Sequence, residues 1–367
     1  MSLPRVPDNP VNPNRQHTGP PSRGTATSGC ALFHSARLGY HHLVRILITG
    51  VTGFVGRHLC NWLHAHHLEV ELFGLRRWRS DESPDSAVDR VHSLDGDLLD
   101  PASLASAVRT SVPDGIIHLA ASSSVAGSWA TPVEMMHVNA LGTLHLLETA
   151  RQFAPAARIV LASSAEIYGA VAPADLPITE DQPLRPCSPY AASKAAADLL
   201  GFEYYSGHGL RTVRLRLFNH CGPAQPARFV VASLARQVAE VSLGLRQPEI
   251  VVGDLEVRRD FIDVRDAAAA YWLALTAGED GAAYNVASGH SLAIGDVLHR
   301  LLDLAGITAE IVVDPGRTRP ADIAELVGDP RRFVAATGWH PRYEFDRTLA
   351  DTLAFWRDTL TTSILHA

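Results

Sequence analysis

Tyr190 and Lys194 stand four residues apart in Tyr190-Ala-Ala-Ser-Lys194. On a helix that spacing puts a phenol and an ammonium on one face. A free phenol titrates near 10 and is a poor base at neutral pH. A neighbouring ammonium favours the phenolate. A lowering of about three units corresponds to roughly 4 kcal/mol between the two protonation states. Such a group exchanges protons with a hydroxyl or carbonyl oxygen. Upstream lies Ser163-Ser164-Ala165-Glu166-Ile167-Tyr168-Gly169, where Ser164 is placed to hydrogen-bond that same oxygen. Glu166 is read as a second acid/base, as a carboxylate for a substrate hydroxyl, or as a structural group.

The partner for this chemistry is implied near the start of the ordered pattern. Ile48-Thr-Gly50-Val-Thr-Gly53-Phe54-Val55-Gly56 closes a β-branched run and opens a helix. Glycines there allow a tight turn and close approach of a pyrophosphate, and the helix start, with Phe54 and Val55, offers amide donors. This predicts a dinucleotide site, and a positive nicotinamide ring would add to the stabilisation of a Tyr190 phenolate. At the end of the second strand an acidic residue would bond the adenosine ribose. The chain has Arg76, Arg77 and Arg79 instead, in Phe73-Gly-Leu-Arg76-Arg77-Trp78-Arg79. Guanidinium groups match a 2′-phosphate. NADP(H) is therefore favoured, with NAD(H) the alternative. In Gly96-Asp97-Leu98, Asp97 either bonds adenine or is a plain loop aspartate.

These residues need a scaffold that delivers them to one crevice. Strand-like runs at Val44–Ile48, Glu69–Phe73, Asp114–Leu119, Arg158–Ala162 and Thr212–Leu217 alternate with helical patterns at 54–66, 101–109, 133–151 and 189–205. That alternation predicts an α/β fold with a Rossmann-type, doubly wound parallel sheet. Ligands then sit at the carboxyl ends of the strands, where Gly50 and Ser164 fall. Past Phe218 the chain turns irregular, although 250–252 and 263–275 keep a strand and a helix pattern. The expected division is a cofactor domain over 43–218, with 250–275 contributing. A smaller C-terminal substrate lobe takes 219–249 and 276–367. Residues 1–42 begin with a proline-rich stretch and hold too little apolar content to fold. They are read as a disordered extension or as the result of an upstream start, without the apolar core of a secretory signal.

Composition narrows the class. The 367 residues are 46% hydrophobic and 19% charged, which excludes disorder of the whole chain. The net charge of −7 supplies no basic field for nucleic acid. The best apolar run, Ala267 to Ala277, is far short of the ~20 residues of a membrane span. Cys30, Cys60, Cys187 and Cys221 form no CxxC, which fits a reducing, cytoplasmic setting. The histidines show no ligand spacing, and no metal site is expected.

Taken together, Gly50-x-x-Gly53-x-x-Gly56, His118-Leu119-Ala120-Ala121, Ser164 and Tyr190-x-x-x-Lys194 resemble the extended short-chain dehydrogenase/reductases that modify nucleotide sugars. The resemblance covers roughly residues 44–358. Leu217-Phe-Asn219-His220-Cys-Gly-Pro223, Val257-Arg-Arg259-Asp-Phe-Ile-Asp-Val264 and Arg319-Pro-Ala-Asp322 are most similar to the family's GDP-4-dehydro-6-deoxy-D-mannose reductases. Its GDP-mannose 4,6-dehydratases come next, through Leu75-Arg-Arg77, Ser122 to Pro132 and Glu166. The family resemblance implies Ser164, Tyr190 and Lys194 as the catalytic group. It also implies cofactor contacts at Leu119, Ala120 and Ala121, and nucleotide-sugar contacts at Ser124, Asn219, Arg259, Arg319 and Asp322. It implies a homodimer through helices near 133–151 and 188–206. The leading expectation is a 4-keto reductase in which Tyr190 protonates the new alkoxide. A 4,6-dehydratase with Glu166 as C5 base and a 4-epimerase are the alternatives. Some sugar dehydratases carry an aspartic acid just before the glutamate, where this chain has Ala165. A non-catalytic NADP sensor would have no use for the intact Ser164, Tyr190 and Lys194.

Overall fold

The structure is a computed structural model that describes residues 44–77, 90–317 and 323–365. The extension at 1–42, Arg79, and the expected contacts Arg319 and Asp322 lie outside the described residues. In chain order, β1 (Val44–Thr49), α1 (Phe54–His66), β2 (Val70–Arg76), β3 (Val91–Asp95), α2 (Pro101–Ser111) and β4 (Gly115–His118) alternate. A short α3 (Val125–Ser128) follows. Next come α4 (Pro132–Met136) and α5 (Gly142–Phe153), joined through a π-helical turn at His137–Leu141. Then come β5 (Arg158–Ser164), α6 (Pro189–His208), β6 (Arg211–Leu217), β7 (Asn219–Cys221) and α7 (Val230–Ser242). β8 (Glu249–Val252), β9 (Arg258–Asp263), α8 (Val264–Ala277), β10 (Ala283–Val286), β11 (Ser291–Ala293) and α9 (Ile294–Ala305) lead to the last third. It holds β12 (Glu310–Val313), β13 (Glu325–Leu326), α10 (Arg331–Thr337) and α11 (Phe345–Leu365).

Seven strands form a parallel sheet in the order β10-β6-β5-β4-β1-β2-β3. Its central strands are covered on both faces, which is why β1 and β4 are nearly unbroken apolar runs. α1, α8 and α10 bury one face through Leu59, Leu63, Tyr271 and Phe333, and α2, α5 and α6 bury the other through Leu104, Leu146 and Tyr204. The order reverses between β1 and β4, leaving a crevice at their carboxyl ends. A second sheet pairs β9 with β11, β13 and β7, and β8 pairs with β12 in a two-stranded ribbon. Around these, α7, α9 and α11 bury Val238, Leu301 and Leu353 in a separate core.

Two parts of the expected division are corrected. The strand at 250–252 does not enter the large sheet. Ile250 and Val252 face the lobe core, and their strand pairs with β12. Conversely, β10, expected in the lobe, completes the large sheet against β6, in register Ala283↔Arg214 to Val286↔Leu217. Phe333 and Trp339 pack beside it, with ring centroids 5.7 Å apart and Phe333 5.4 Å from Tyr284. The apolar strand period cannot tell these two destinations apart, because both cores bury the same residue types.

Candidate active site

β1 is followed by Gly50, whose φ of +72° places the turn in the left-handed region. A Cβ on Gly50 would lie 2.7 Å from the Ala120 nitrogen, and one on Gly56 would lie 2.4 Å from the Gly50 carbonyl oxygen. The turn therefore packs against the β4 exit and onto α1 only without side chains. Gly53 caps the start of α1 and has no side chain to accept from it, so the helix's first amides keep their donors for a ligand. These observations fit a dinucleotide pyrophosphate.

The crevice is a cavity of about 1480 Å³. Its wall carries Gly50, Gly53, Phe54, Val55, Gly56, Leu119, Ala121, Ser124, Ser164, Glu166, Tyr190, Lys194, Asn219 and Arg259. Arg76, Arg77, Asp97, Leu98 and Ala120 are not on that wall. Arg76 stands at the end of β2, its Nε 3.2 Å from the Asp95 carboxylate, and Arg77 is exposed. The Asp97 carboxylate accepts from the Leu99 N–H at 2.9 Å. Leu98 is buried against Gly142. Ser124 caps α3 by accepting from the Gly127 N–H at 2.9 Å. The Arg259 guanidinium donates to the carbonyl oxygens of Ile323, at 2.7 Å, and Arg258. The Asp260 carboxylate turns instead to the amides of Ser288, Gly289 and Gly328.

α6 presents the tyrosine and the lysine. Ser188 caps it by accepting from the Ala191 N–H at 3.1 Å, Pro189 opens it, and Gly209 ends it at φ +72°. Ser164, at the end of β5, stands near the Tyr190 phenol on the same wall. It accepts from the Glu166 N–H at 3.3 Å. The electrostatics differ from expectation. Burial pushes the Tyr190 phenol up to about 12, the nearby Ser164 hydroxyl opposes this, and the Glu166 charge adds to the rise. Lys194 does not offset it. Its Nζ donates to the Ala162 carbonyl at 2.8 Å, and burial lowers the ammonium to about 8. The protein alone thus holds Tyr190 as a phenol, an acid ready to give its proton.

A polar network behind this wall escaped the sequence reading. His118 Nε2 lies 3.0 Å from Thr143 Oγ1, which donates to the Asn139 carbonyl at 2.6 Å. The Nε2–H must therefore donate to Thr143, and Nδ1 accepts from Thr49 Oγ1 at 2.7 Å. Burial, and then the Lys194 charge, push His118 down to about 3, so it stays neutral. Asn139, inside the π-helical turn, bonds the Ser122 backbone through both ends of its amide. It also donates to Ser193 Oγ at 2.9 Å, and Ser193 donates to the Tyr190 carbonyl at 2.7 Å. The signal was Asn139 and Thr143 at helical spacing among Met135, Leu146 and Leu147, polar residues on an apolar stripe.

Nicotinamide-dependent oxidoreductases of the extended short-chain type are built this way, and the chain is of that class. A profile of the family described as GDP-mannose 4,6 dehydratase matches residues 47–352. The chain belongs to that family. It is 38% identical over 312 residues to the GDP-6-deoxy-D-mannose reductase of Pseudomonas aeruginosa, covering 85% of this chain and 97% of that one. Among solved structures it is similar to RMD from Pseudomonas aeruginosa complexed with NADPH, at TM-score 0.74 and 35% identity over 86% of this chain and 100% of the other. The UDP-glucose 4-epimerase of Thermus thermophilus in complex with NAD gives a TM-score of 0.76 and 33% identity over 86% and 99%.

Proposed function

We propose that the protein reduces the 4-keto group of a GDP-linked 4-dehydro-6-deoxyhexose with NADPH. The carrying observation is that Ser164, Tyr190 and Lys194 share the wall of the cavity entered by the glycine turn, with the Tyr190 phenol held protonated. When bound, the dinucleotide supplies the hydride equivalent. Ser164 holds the keto oxygen, Tyr190 gives it a proton as charge develops there, and Lys194 adds a positive charge on the same helix face. The similarity to the reductase of Pseudomonas aeruginosa supports the substrate class. The large sheet is assigned to the cofactor, and the lobe around α7, α9 and α11, with Asn219 and Arg259, to the nucleotide sugar. The test is incubation with a panel of nucleotide sugars and both cofactors, read by absorbance and mass spectrometry. One NADPH consumed per product supports the reading, and product without net cofactor change overturns it.

Glu166 on the cavity wall favours a second reading, 4,6-dehydration with this carboxylate as the C5 base. Ala165 beside it cannot protonate a leaving hydroxyl, so Glu166 would serve both steps. In deuterated water Glu166→Gln should abolish label at C5 under that reading. Retained label removes the assignment.

NADPH is preferred over NADH through Arg76 and Arg77, which stand where the adenosine ribose is read. Replacing both by alanine should raise KM for NADPH by about tenfold or more and leave that for NADH within about threefold. Equal changes count against 2′-phosphate recognition. We further propose a homodimer through α4–α5 and α6. Val133, Met136, Leu199, Phe202 and Tyr205 are large apolar side chains exposed on these adjoining helices. Leu199→Glu with Phe202→Glu should halve the mass measured by light scattering, and an unchanged mass places the interface elsewhere. The free thiols of Cys60, Cys187 and Cys221 support a reducing, cytoplasmic location. Among the described residues no helix is long and apolar enough to cross a membrane.

A further inference from the structure

His58 lies on the second turn of α1, on the wall of the main cavity, and belongs to no part of the chemistry above. Its Nε2 is 2.9 Å from the carbonyl oxygen of Pro223, 165 residues away in the chain. A carbonyl only accepts, so Nε2 carries the hydrogen. Phe54, in the first turn of the same helix, meets the His58 ring edge-on at 5.3 Å and lies parallel to His220 at 6.3 Å.

Pro223 opens the segment that runs to α7 along the opposite wall. That segment is otherwise held by short-range bonds, Gln225 N–H to the Gly222 carbonyl and Gln225 Nε2 to the His220 carbonyl at 2.9 Å. Ala224, the next residue, has φ of +67°. A residue with a Cβ stays in that region only where its surroundings over-determine it. The His58 bond arrives one residue before this strained position, from the helix whose N-terminus receives the dinucleotide.

We propose that His58 is a positioning residue: through Pro223 it ties the cofactor helix to the segment that closes the nucleotide side of the cavity, so that filling one half tightens binding in the other. This rests on the nucleotide-sugar reading above. Such a coupling is reciprocal in affinity, each ligand tightening the other by the same factor. The groups facing His58 are His220 from β7 and Asp263 and Arg265 at the start of α8. Both the neutral Nε2–H tautomer and the cation keep the donor, so the tie holds through neutral pH.

The test uses the full chain and titrates GDP and UDP by calorimetry, with and without saturating NADPH, at pH 6 and pH 8. Wild type should bind one diphosphate tighter when NADPH is present. His58→Phe keeps a ring against Phe54 and deletes the donor. It should bind NADPH within about twofold of wild type while its diphosphate Kd in the NADPH complex rises about fivefold to tenfold, at both pH values. His58→Gln, which returns a donor, should recover most of the loss. If His58→Phe keeps wild-type coupling, or if NADPH and diphosphate binding fall together and glutamine recovers neither, the inference is overturned while the reading stands. If wild type binds neither diphosphate, the reading falls and the inference with it.

Discussion

Tyr190→Phe is expected to lower kcat by about 10³-fold, in the middle of the range for a lost general acid. The variant keeps the ring and removes only the hydroxyl, so NADPH affinity, measured by fluorescence titration, should not change. Because Tyr190 sits near 12, it stays protonated throughout neutral pH. The group that titrates within reach is Lys194, lowered to about 8 by burial. It carries its charge below that value and loses it above. The reductive kcat should therefore be flat on the acid side and fall above about pH 8, with Lys194→Met removing that limb. A rate that climbs with pH through neutrality would mean that the phenolate is the working form, and the assignment of Tyr190 as proton donor would fail.

Asp198→Asn should destabilise the fold by about 3–5 kcal/mol, the usual effect of breaking a buried ion pair from one side. Asp198 is fully buried on α6 and accepts from Arg214 Nη1 at 3.0 Å and from Arg216 Nε and Nη2 at 3.1 and 3.0 Å. Arg216 also donates to the Tyr168 hydroxyl and the Glu180 carbonyl. Without the carboxylate, two guanidinium groups stay inside the protein uncompensated. A melting temperature lower by about 10 °C is expected by circular dichroism. Burial pushes the Asp198 carboxyl up, but the Arg216 hydrogen bonds and the charges of Arg216 and Arg214 outweigh it and hold it below the ordinary value. A carboxylate lowered in the folded state contributes above its unfolded pKa and is lost as pH falls through its folded one. The gap between variant and wild type should be full at neutral pH and close in strong acid. Equal melting temperatures at pH 7 would show the cluster to be dispensable.

Much of this was legible in the chain because the cofactor half is built from local signals. The β-branched run before Gly50, the helical pattern from residue 189 and the alternation of strands and helices needed no tertiary knowledge. α1 begins and ends where its periodicity places it. What stayed hidden depends on contacts between distant segments. Nothing local says that β10 belongs beside β6, or that 250–252 pairs with β12. The lysine spacing was legible, but not that its ammonium turns to the Ala162 carbonyl. Asn139 shows the same limit: one polar residue in an apolar stripe has meaning only once Ser122 and Ser193 are known to flank it.

The late arrival of β10 bears on how the molecule is made. Until residues 283–286 leave the ribosome, β6 has an open flank with unpaired amides and carbonyls, and Tyr284 is missing from beneath it. An exposed strand flank invites pairing with other chains. A nascent polypeptide stopped near residue 280 would thus carry every catalytic group named above and still be prone to aggregate. Trimming this protein to a minimal NADPH-binding fragment has to keep the stretch through Trp339.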